Sequence, residues 1–207
     1  NINVPCDPSS AAFLVVAAVI CPGSKIELNN IMVNKGRDGL FKTLIEMGAK
    51  IKIFNKKKYK GELNGDILIK STQKLKAINL NSSLNSSAID EFLLIFLVAA
   101  KAKGVSFFKN LNELNQKESP RLKWGSKILN LMGVKNIVTD SSIKIFGNPN
   151  INIKKRIIIK NYLKDHRIFM SSAIAALAFG GEWHLHNKKS IKTSFPNFLK
   201  ILREIQK

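Results

Sequence analysis

The chain has few cysteines and no long apolar run. Only two cysteines, Cys6 and Cys21, occur in 207 residues, and their spacing matches no metal-binding pattern, so we expect reduced thiols and no metal. The longest apolar stretches, 11–21 and 92–100, fall short of the ~20 residues that cross a bilayer. We therefore expect no membrane segment. No GxGxxG or GxxxxGK loop follows a predicted strand, which argues against a phosphate-cradling loop and a doubly wound sheet.

Acidic residues are also scarce. The 34 lysines and arginines outnumber 14 aspartates and glutamates and give a formal net charge of +20. Such an excess can indicate a nucleic-acid surface. However, the lysines are scattered along the whole chain, with a single run at 56–58, and aromatic residues are not interleaved with them as a stacking surface requires. We therefore expect no nucleic-acid partner, and a basic cleft that concentrates small polyanions.

The length suits one domain, because a chain of this size buries enough surface to fold without disulfides or metals. No linker or low-complexity tract divides residues 1–207, and residues 1–10 show no secretory signal pattern, so we expect a cytoplasmic protein. Since residue 1 is asparagine and not methionine, we also expect the sequence to be a piece of a longer chain.

A cassette that occurs three times is the most informative pattern. Each copy begins with an acidic residue and continues through about ten apolar and small residues to a glycine and a short alternating strand. The copies start, at nearly equal spacing, at Asp7, Asp90 and Asp165. A second element, which ends in Met-Gly at 47–48 and at 132–133, recurs between them. Such self-similarity is typical of a domain built from repeats.

Apolar periodicity and capping residues divide each repeat into short elements. We predict helices over 9–20, 39–47, 90–101, 121–132, 167–179 and 196–205. We predict strands over 25–28, 50–54, 66–70, 105–108, 135–138, 142–146, 156–159 and 182–186, with a lysine-rich turn between the second and third. The order predicts an α/β domain of three repeated βαβαββ units with buried helices and outer sheets.

The repeats place Asp7, Asp90 and Asp165 at equivalent helix starts, where free backbone N–H groups and the helix dipole attract anions. Two arginines, Arg121 and Arg167, also lie at predicted helix starts. An aspartate there can be an ordinary N-cap, and the 117–121 segment can be a solvated face. The grouping of carboxylates with arginines instead favours proton transfer beside an anion site.

At these residues the chain resembles the C-terminal half of the 5-enolpyruvylshikimate-3-phosphate synthase family, and more closely its class II branch. The matching phrases are VPCDPSSAAF at 4–13, LIEMGAKIKI at 44–53, IDEF at 89–92, KESPRL at 117–122, DHRIFMSSAIA at 165–175 and TSFPNF at 193–198. The resemblance implies an enolpyruvyl transferase-like fold. It also implies transfer of the enolpyruvyl group of phosphoenolpyruvate to the 5-hydroxyl of shikimate 3-phosphate, with release of phosphate and without a cofactor.

The resemblance assigns roles to six residues. Asp90 is similar to the family's acid–base aspartate, and Glu118 to the glutamate that handles protons at the phosphoenolpyruvate methylene. Lys117 is similar to the lysine on the shikimate hydroxyl side. Arg121 and Arg167 match the arginines that clamp the phosphoenolpyruvate carboxylate, and His166 lies beside them.

The resemblance also implies a partner that this sequence does not contain. In the family the active site lies between two similar domains, so residues 1–207 supply one half and need their own N-terminal domain. We expect a monomer at full length and an inactive fragment alone. Several positions depart from the family pattern. They are Asn115 in place of an arginine, Pro120 of an aspartate, Cys6 of a glycine, Lys35-Gly36-Arg37-Asp38 of Pro-Thr-Arg-Thr, and Thr193 of a lysine.

Two other functions compete with this interpretation. A related transferase that uses a UDP-sugar acceptor shares the architecture, although the DHRI and KES phrases argue against it. A non-catalytic basic binding protein is the alternative from another class. Salt-sensitive nucleic-acid binding without phosphoenolpyruvate turnover would distinguish it.

Overall fold

The computed structural model describes residues 4–205. Its helices are α1 Pro8–Ile20, α2 Gly39–Glu46, α3 Asn85–Ala88, α4 Phe92–Lys101, α5 Arg121–Met132, α6 His166–Phe179 and α7 Phe198–Glu204. Its strands are β1 Lys25–Met32, β2 Lys50–Tyr59, β3 Glu62–Lys70, β4 Gly104–Phe108, β5 Asn136–Val138, β6 Ile143–Gly147, β7 Ile153–Ile159 and β8 Gly180–Leu185. The predicted α/β class is confirmed.

Three helices, α1, α4 and α6, pack against one another at the centre of the domain. Helix α4 is buried at nine consecutive positions, from Phe92 to Ala100, because its sequence is apolar on every side. Helix α1 is similarly buried, and its start is well specified. The Asp7 carboxylate accepts a hydrogen bond from the backbone N–H of Ser10, and Pro8 occupies the first turn, where its missing N–H costs nothing.

The strands form three small sheets around these helices. The first two sheets have the same antiparallel arrangement, with strand orders β1-β3-β2 and β4-β6-β5. The third consists of β7 and β8, which pair in parallel. Isolated parallel bridges have the same role at α1 and α4. Cys6, before α1, pairs with Ile31 in β1, and Asn79, before α4, pairs with Phe107 in β4. Each central helix is therefore a crossover between two parallel segments.

Helix α5 lies very close to α4. A side chain at Gly125 would bring its Cβ within 2.6 Å of the Phe96 ring, so only glycine fits there without a shift. Helix α5 begins at Arg121, the residue predicted to open it. The close contact between the two helices thus fixes the position of Arg121 relative to the start of α4.

Two local predictions were wrong. The lysines at 56–58 lie in β2 and not in a turn, because the hairpin continues past a bulge at Phe54 to the actual turn at Lys60-Gly61. Asp90 does not open a helix. It lies in a 3-10 turn, Ile89–Glu91, inside a series of helical turns that starts at Ser82, where the Asn81 side chain provides the cap.

This series of turns forms a helical stretch over Ser82–Lys101 that is 20 residues long. Its length and composition would allow it to cross a membrane, which the apolar run at 92–100 alone did not indicate. Most of its apolar part is buried inside the domain, and the central helix of a packed core passes the same test.

Candidate active site

Side chains from the starts of α4, α5 and α6 contact one another. Asp90 comes from the turn before α4, Arg121 is the first residue of α5, and Arg167 is the second residue of α6. Each comes from the start of a different helix. Asp90 has the place in the second repeat that Asp165, two residues before Arg167, has in the third. The repeat architecture thus brings residues that are distant in sequence to one place.

Arg121 is at the centre of this group. Its side chain is only 2% exposed, yet it is surrounded by three carboxylates. Nε donates to Oδ2 of Asp165 at 2.9 Å, Nη1 donates to Oδ1 of Asp90 at 3.1 Å, and Nη2 pairs with Glu118. A guanidinium can satisfy several acceptors at fixed angles, which is why an arginine and not a lysine suits this position.

Asp90 faces the opening of the group and is 36% exposed. Besides Arg121, its carboxylate lies 3.7 Å from Nζ of Lys117 and 3.7 Å from Nη2 of Arg167. Burial acts to raise the pKa of Asp90, but the charges of Arg167, Lys117 and Arg121 outweigh it and hold this pKa below its ordinary value. Asp90 is therefore ionised at neutral pH and accessible to a ligand.

Lys117 and Glu118 come from the loop before α5, at the edge of the same opening. Lys117 is 24% exposed and also donates to Glu113 at 2.9 Å. The side chain of Glu118 is 54% exposed and is held on one side by Arg121. The structure thus brings together Asp90, Glu118, Arg121 and Lys117.

The start of α6 adds Arg167 and His166. Nη1 of Arg167 donates to the backbone oxygen of Asp90 at 2.9 Å, and its own backbone N–H donates to the Asp165 carboxylate that caps α6. Burial lowers the pKa of His166; the nearby Asp165 acts in the opposite direction without cancelling it. His166 is therefore neutral at pH 7. All six predicted site residues lie in or beside the group.

Three members of the group were not among the predicted site residues. Asp165 is fully buried, caps α6 and binds Arg121; its hydroxyl neighbour Ser119 donates to the same carboxylate at 2.8 Å. Glu91 is buried next to Asp90 and contacts Arg167. The sequence signal for Asp165 was its place as the acidic residue that opens the third cassette. One oxygen of Asp165 caps α6, as an N-cap does, and the other binds Arg121.

Two of the departures from the family pattern, Pro120 and Asn115, fit this structure. Pro120 immediately precedes α5, and its backbone oxygen accepts the N–H of Trp124 at 2.9 Å, so the helix starts normally. The Asn115 amide donates to the backbone oxygen of Asp140 at 3.2 Å. Asn115 therefore helps to hold the loop that carries Lys117 and Glu118.

Comparison with known proteins identifies this arrangement. A profile of the EPSP synthase (3-phosphoshikimate 1-carboxyvinyltransferase) family matches residues 1–202. The chain belongs to this family. It is 41% identical over 204 residues to the 3-phosphoshikimate 1-carboxyvinyltransferase of Ruthia magnifica subsp. Calyptogena magnifica, covering 99% of this chain and 46% of the relative. It is 40% identical over 209 residues to that of Vesicomyosocius okutanii subsp. Calyptogena okutanii.

Solved structures agree with the family assignment. EPSP synthase from Acinetobacter baumannii superposes with a TM-score of 0.93 at 34% identity, covering 99% of this chain and 47% of that one. An enolpyruvyl transferase from Streptomyces tendae, at 15% identity and a TM-score of 0.74, shares the fold. The predicted family and enolpyruvyl transferase-like fold are thereby confirmed. The chain spans about half the length of the curated relatives that it matches.

Proposed function

We propose that residues 1–207 are the C-terminal half of a two-domain enolpyruvyl transferase and supply half of its active site. The whole enzyme transfers the enolpyruvyl group of phosphoenolpyruvate to the 5-hydroxyl of shikimate 3-phosphate and releases phosphate. The observation that carries this proposal is the ionised Asp90 carboxylate. It is held among three cations at an opening formed by the starts of α4, α5 and α6, which belong to the second and third repeats. The proposed partner is the N-terminal domain of the same protein, which supplies the other half of the cleft.

The arrangement suits an addition reaction between two anionic substrates. Arg167 and Lys117 retain accessible surface, so they can bind carboxylate or phosphate oxygens. A ligand anion that binds these cations weakens their effect on the pKa of Asp90. The pKa of Asp90 then rises toward its ordinary value when the substrates bind, which makes it a better base in the complex than in the free protein.

Each proton has an assigned carrier in this proposal. Asp90 takes the proton of the 5-hydroxyl as the hydroxyl oxygen bonds to the central carbon of phosphoenolpyruvate. Glu118 gives a proton to the methylene carbon, which becomes a methyl group. The same carboxylate takes a proton back from that methyl as the carbon–oxygen bond to phosphate breaks. Asp90 passes the hydroxyl proton to the departing phosphate and is regenerated as the carboxylate, while Glu118 ends protonated, as it began. The net products are the enol ether and inorganic phosphate, and this proton balance needs no cofactor.

The test uses the product of the complete reading frame that encodes residues 1–207. We expect release of inorganic phosphate only when phosphoenolpyruvate and shikimate 3-phosphate are both present, and none from residues 1–207 alone. Asp140→Asn should release phosphate at the wild-type rate, because Asp140 is 96% exposed and pairs with Lys123 away from the opening. It is the matched control for substitutions of Asp90. Absence of phosphate release by the folded product would refute the proposal. Release with UDP-N-acetylglucosamine as acceptor would instead support the UDP-sugar alternative.

The remaining expectations are part of the same proposal. A cytoplasmic location and a monomeric full-length protein both suit a shikimate-pathway enzyme. We expect the basic surface to bind no nucleic acid. Salt-dependent binding of the protein to DNA, combined with no turnover, would favour the non-catalytic alternative.

A further inference from the structure

Two adjacent carboxylates beside α4 point to different surroundings. Asp90 faces the opening, whereas the side chain of Glu91 is only 9% exposed. Oε1 of Glu91 accepts a hydrogen bond from the Ser9 hydroxyl at 2.7 Å and lies 3.4 Å from Nη1 of Arg167. Burying a carboxylate beside a site for anions is costly unless it holds a specific partner. Arg167 is that partner.

The contacts of Glu91 continue into the first repeat. Ser9 lies in the first turn of α1, is itself buried, and accepts a hydrogen bond from Nη2 of Arg37 at 2.8 Å. Since the Ser9 hydroxyl accepts from an arginine, its own proton is directed to Glu91. Arg37 is also held by Asp7, whose carboxylate lies 3.5 Å away. One connected line of side chains thus runs from the first repeat through the second to the third.

Within residues 4–205, Nη2 of the Arg167 guanidinium has an ion pair but no hydrogen bond. Nη1 is occupied by the backbone oxygen of Asp90 and by Glu91. Nη2 lies 3.7 Å from Oδ2 of Asp90, which is longer than a hydrogen bond. Holding Nη1 therefore fixes the plane of the guanidinium and presents Nη2 to a ligand in the opening.

We infer that Glu91 is a positioning residue that, together with Ser9 and Arg37, orients Arg167 for the carboxylate of phosphoenolpyruvate. This inference rests on the proposed function. Asp7 and Arg37 contribute to the site through this line and need not touch the substrate. The negative charge of Glu91 is tolerated so near an anion site because it binds and orients Arg167.

The test compares Glu91→Gln and Ser9→Ala in the product of the complete reading frame. Because a small misplacement of a clamping group is costly, we expect Glu91→Gln to raise the KM for phosphoenolpyruvate about tenfold and Ser9→Ala about threefold. The KM for shikimate 3-phosphate should stay unchanged. Glu182→Gln is the matched control, since Glu182 is an exposed carboxylate that contacts His184 on β8.

Two results would overturn the inference while leaving the proposed function intact. One is a KM for phosphoenolpyruvate in Glu91→Gln that equals the wild-type value. The other is an equal rise in both KM values, which would indicate a general structural role. Ser9→Ala removes a single oxygen and keeps the test valid if Glu91→Gln does not fold.

A second readout does not depend on turnover. In nitrogen-15 NMR of the same proteins, the Nη hydrogens of Arg167, assigned with Arg167→Lys, should give separate signals in the wild type and an averaged signal in Glu91→Gln. Unchanged separate signals in Glu91→Gln would contradict the inference even if the wild-type protein released no phosphate. If the wild type released no phosphate but its separate signals averaged in Glu91→Gln, the proposed function would be refuted and the orientation of Arg167 by Glu91 would still be supported.

Discussion

Nε of Arg121 donates to Oδ2 of Asp165 across 2.9 Å, and the two side chains are 2% and 0% exposed. This buried pair joins the first turn of α5 to the cap of α6. Removing one member of a buried ion pair leaves the other charge without compensation. The pair therefore contributes both to the stability of the domain and to the geometry of the opening.

Arg121→Met should lower the free energy of unfolding of the chain by about 3–5 kcal/mol, because Asp165 would stay buried without a cation. Urea unfolding followed by circular dichroism measures this change. Lys123→Met serves as the control, since Lys123 is 62% exposed and its partner Asp140 lies 3.6 Å away in solvent. Equal effects of the two substitutions would show that the buried pair has no special role.

Gly125→Ala should destabilise the domain by about 1–3 kcal/mol through overpacking, since the new Cβ would meet the Phe96 ring at 2.6 Å. Gly36→Ala is the matched control, because a Cβ at Gly36 meets nothing within 4 Å. Thermal unfolding of both variants compares them directly. If the unfolding midpoint of Gly125→Ala equalled that of the wild type, the contact between α4 and α5 would have room for the added methyl group.

Arg167→Gln should raise the KM for phosphoenolpyruvate by about 10²-fold in the complete enzyme, because a charged donor to the carboxylate is lost. Steady-state kinetics with saturating shikimate 3-phosphate measures the effect. Arg156→Gln, on β7, removes an arginine that contacts His184 and not the opening, so its KM should match the wild type. An unchanged KM in Arg167→Gln would exclude this arginine from the clamp.

The pKa of Asp90 predicts a specific dependence of stability on pH. Three cations hold this pKa below that of an unfolded aspartate, about 3.9. The stability that the carboxylate contributes is thus complete above the unfolded pKa and is lost as the pH falls through the lower folded value. The difference in unfolding free energy between the wild type and Asp90→Asn should therefore be complete above about pH 5 and shrink as the pH falls below it. A difference that stays constant with pH would show that the cations do not act on Asp90.

Much of this fold is predictable because its elements have strong local signals. The start of α5 at Arg121 and the cap of α6 at Asp165 follow from sequence alone, since caps and apolar periodicity act over a few residues. The 3-10 turn at Asp90 was not predictable in this way. The series of helical turns that contains it starts at Ser82, where Asn81 provides the cap, and α4 at its end packs against the other central helices.

The site was predictable in part for the same reason. The repeats indicated which helix starts converge, and this placed Asp90 near Arg121 and Arg167. Glu91 was not predicted, because its role depends on the side chain turning inward to Ser9, which is 82 positions away in the chain. Contacts of that kind depend on tertiary packing and leave no periodic pattern in the sequence.

The rate constant kcat of Asp90→Asn in the complete reading-frame product tests most sharply whether the opening is half of an active site. We expect kcat to fall about 10²–10⁴-fold, because the hydroxyl proton loses its acceptor. The dissociation constant for shikimate 3-phosphate should change little, since asparagine keeps the size and one oxygen of aspartate. A kcat close to the wild-type value, with normal folding, would contradict the assignment of Asp90 as the base.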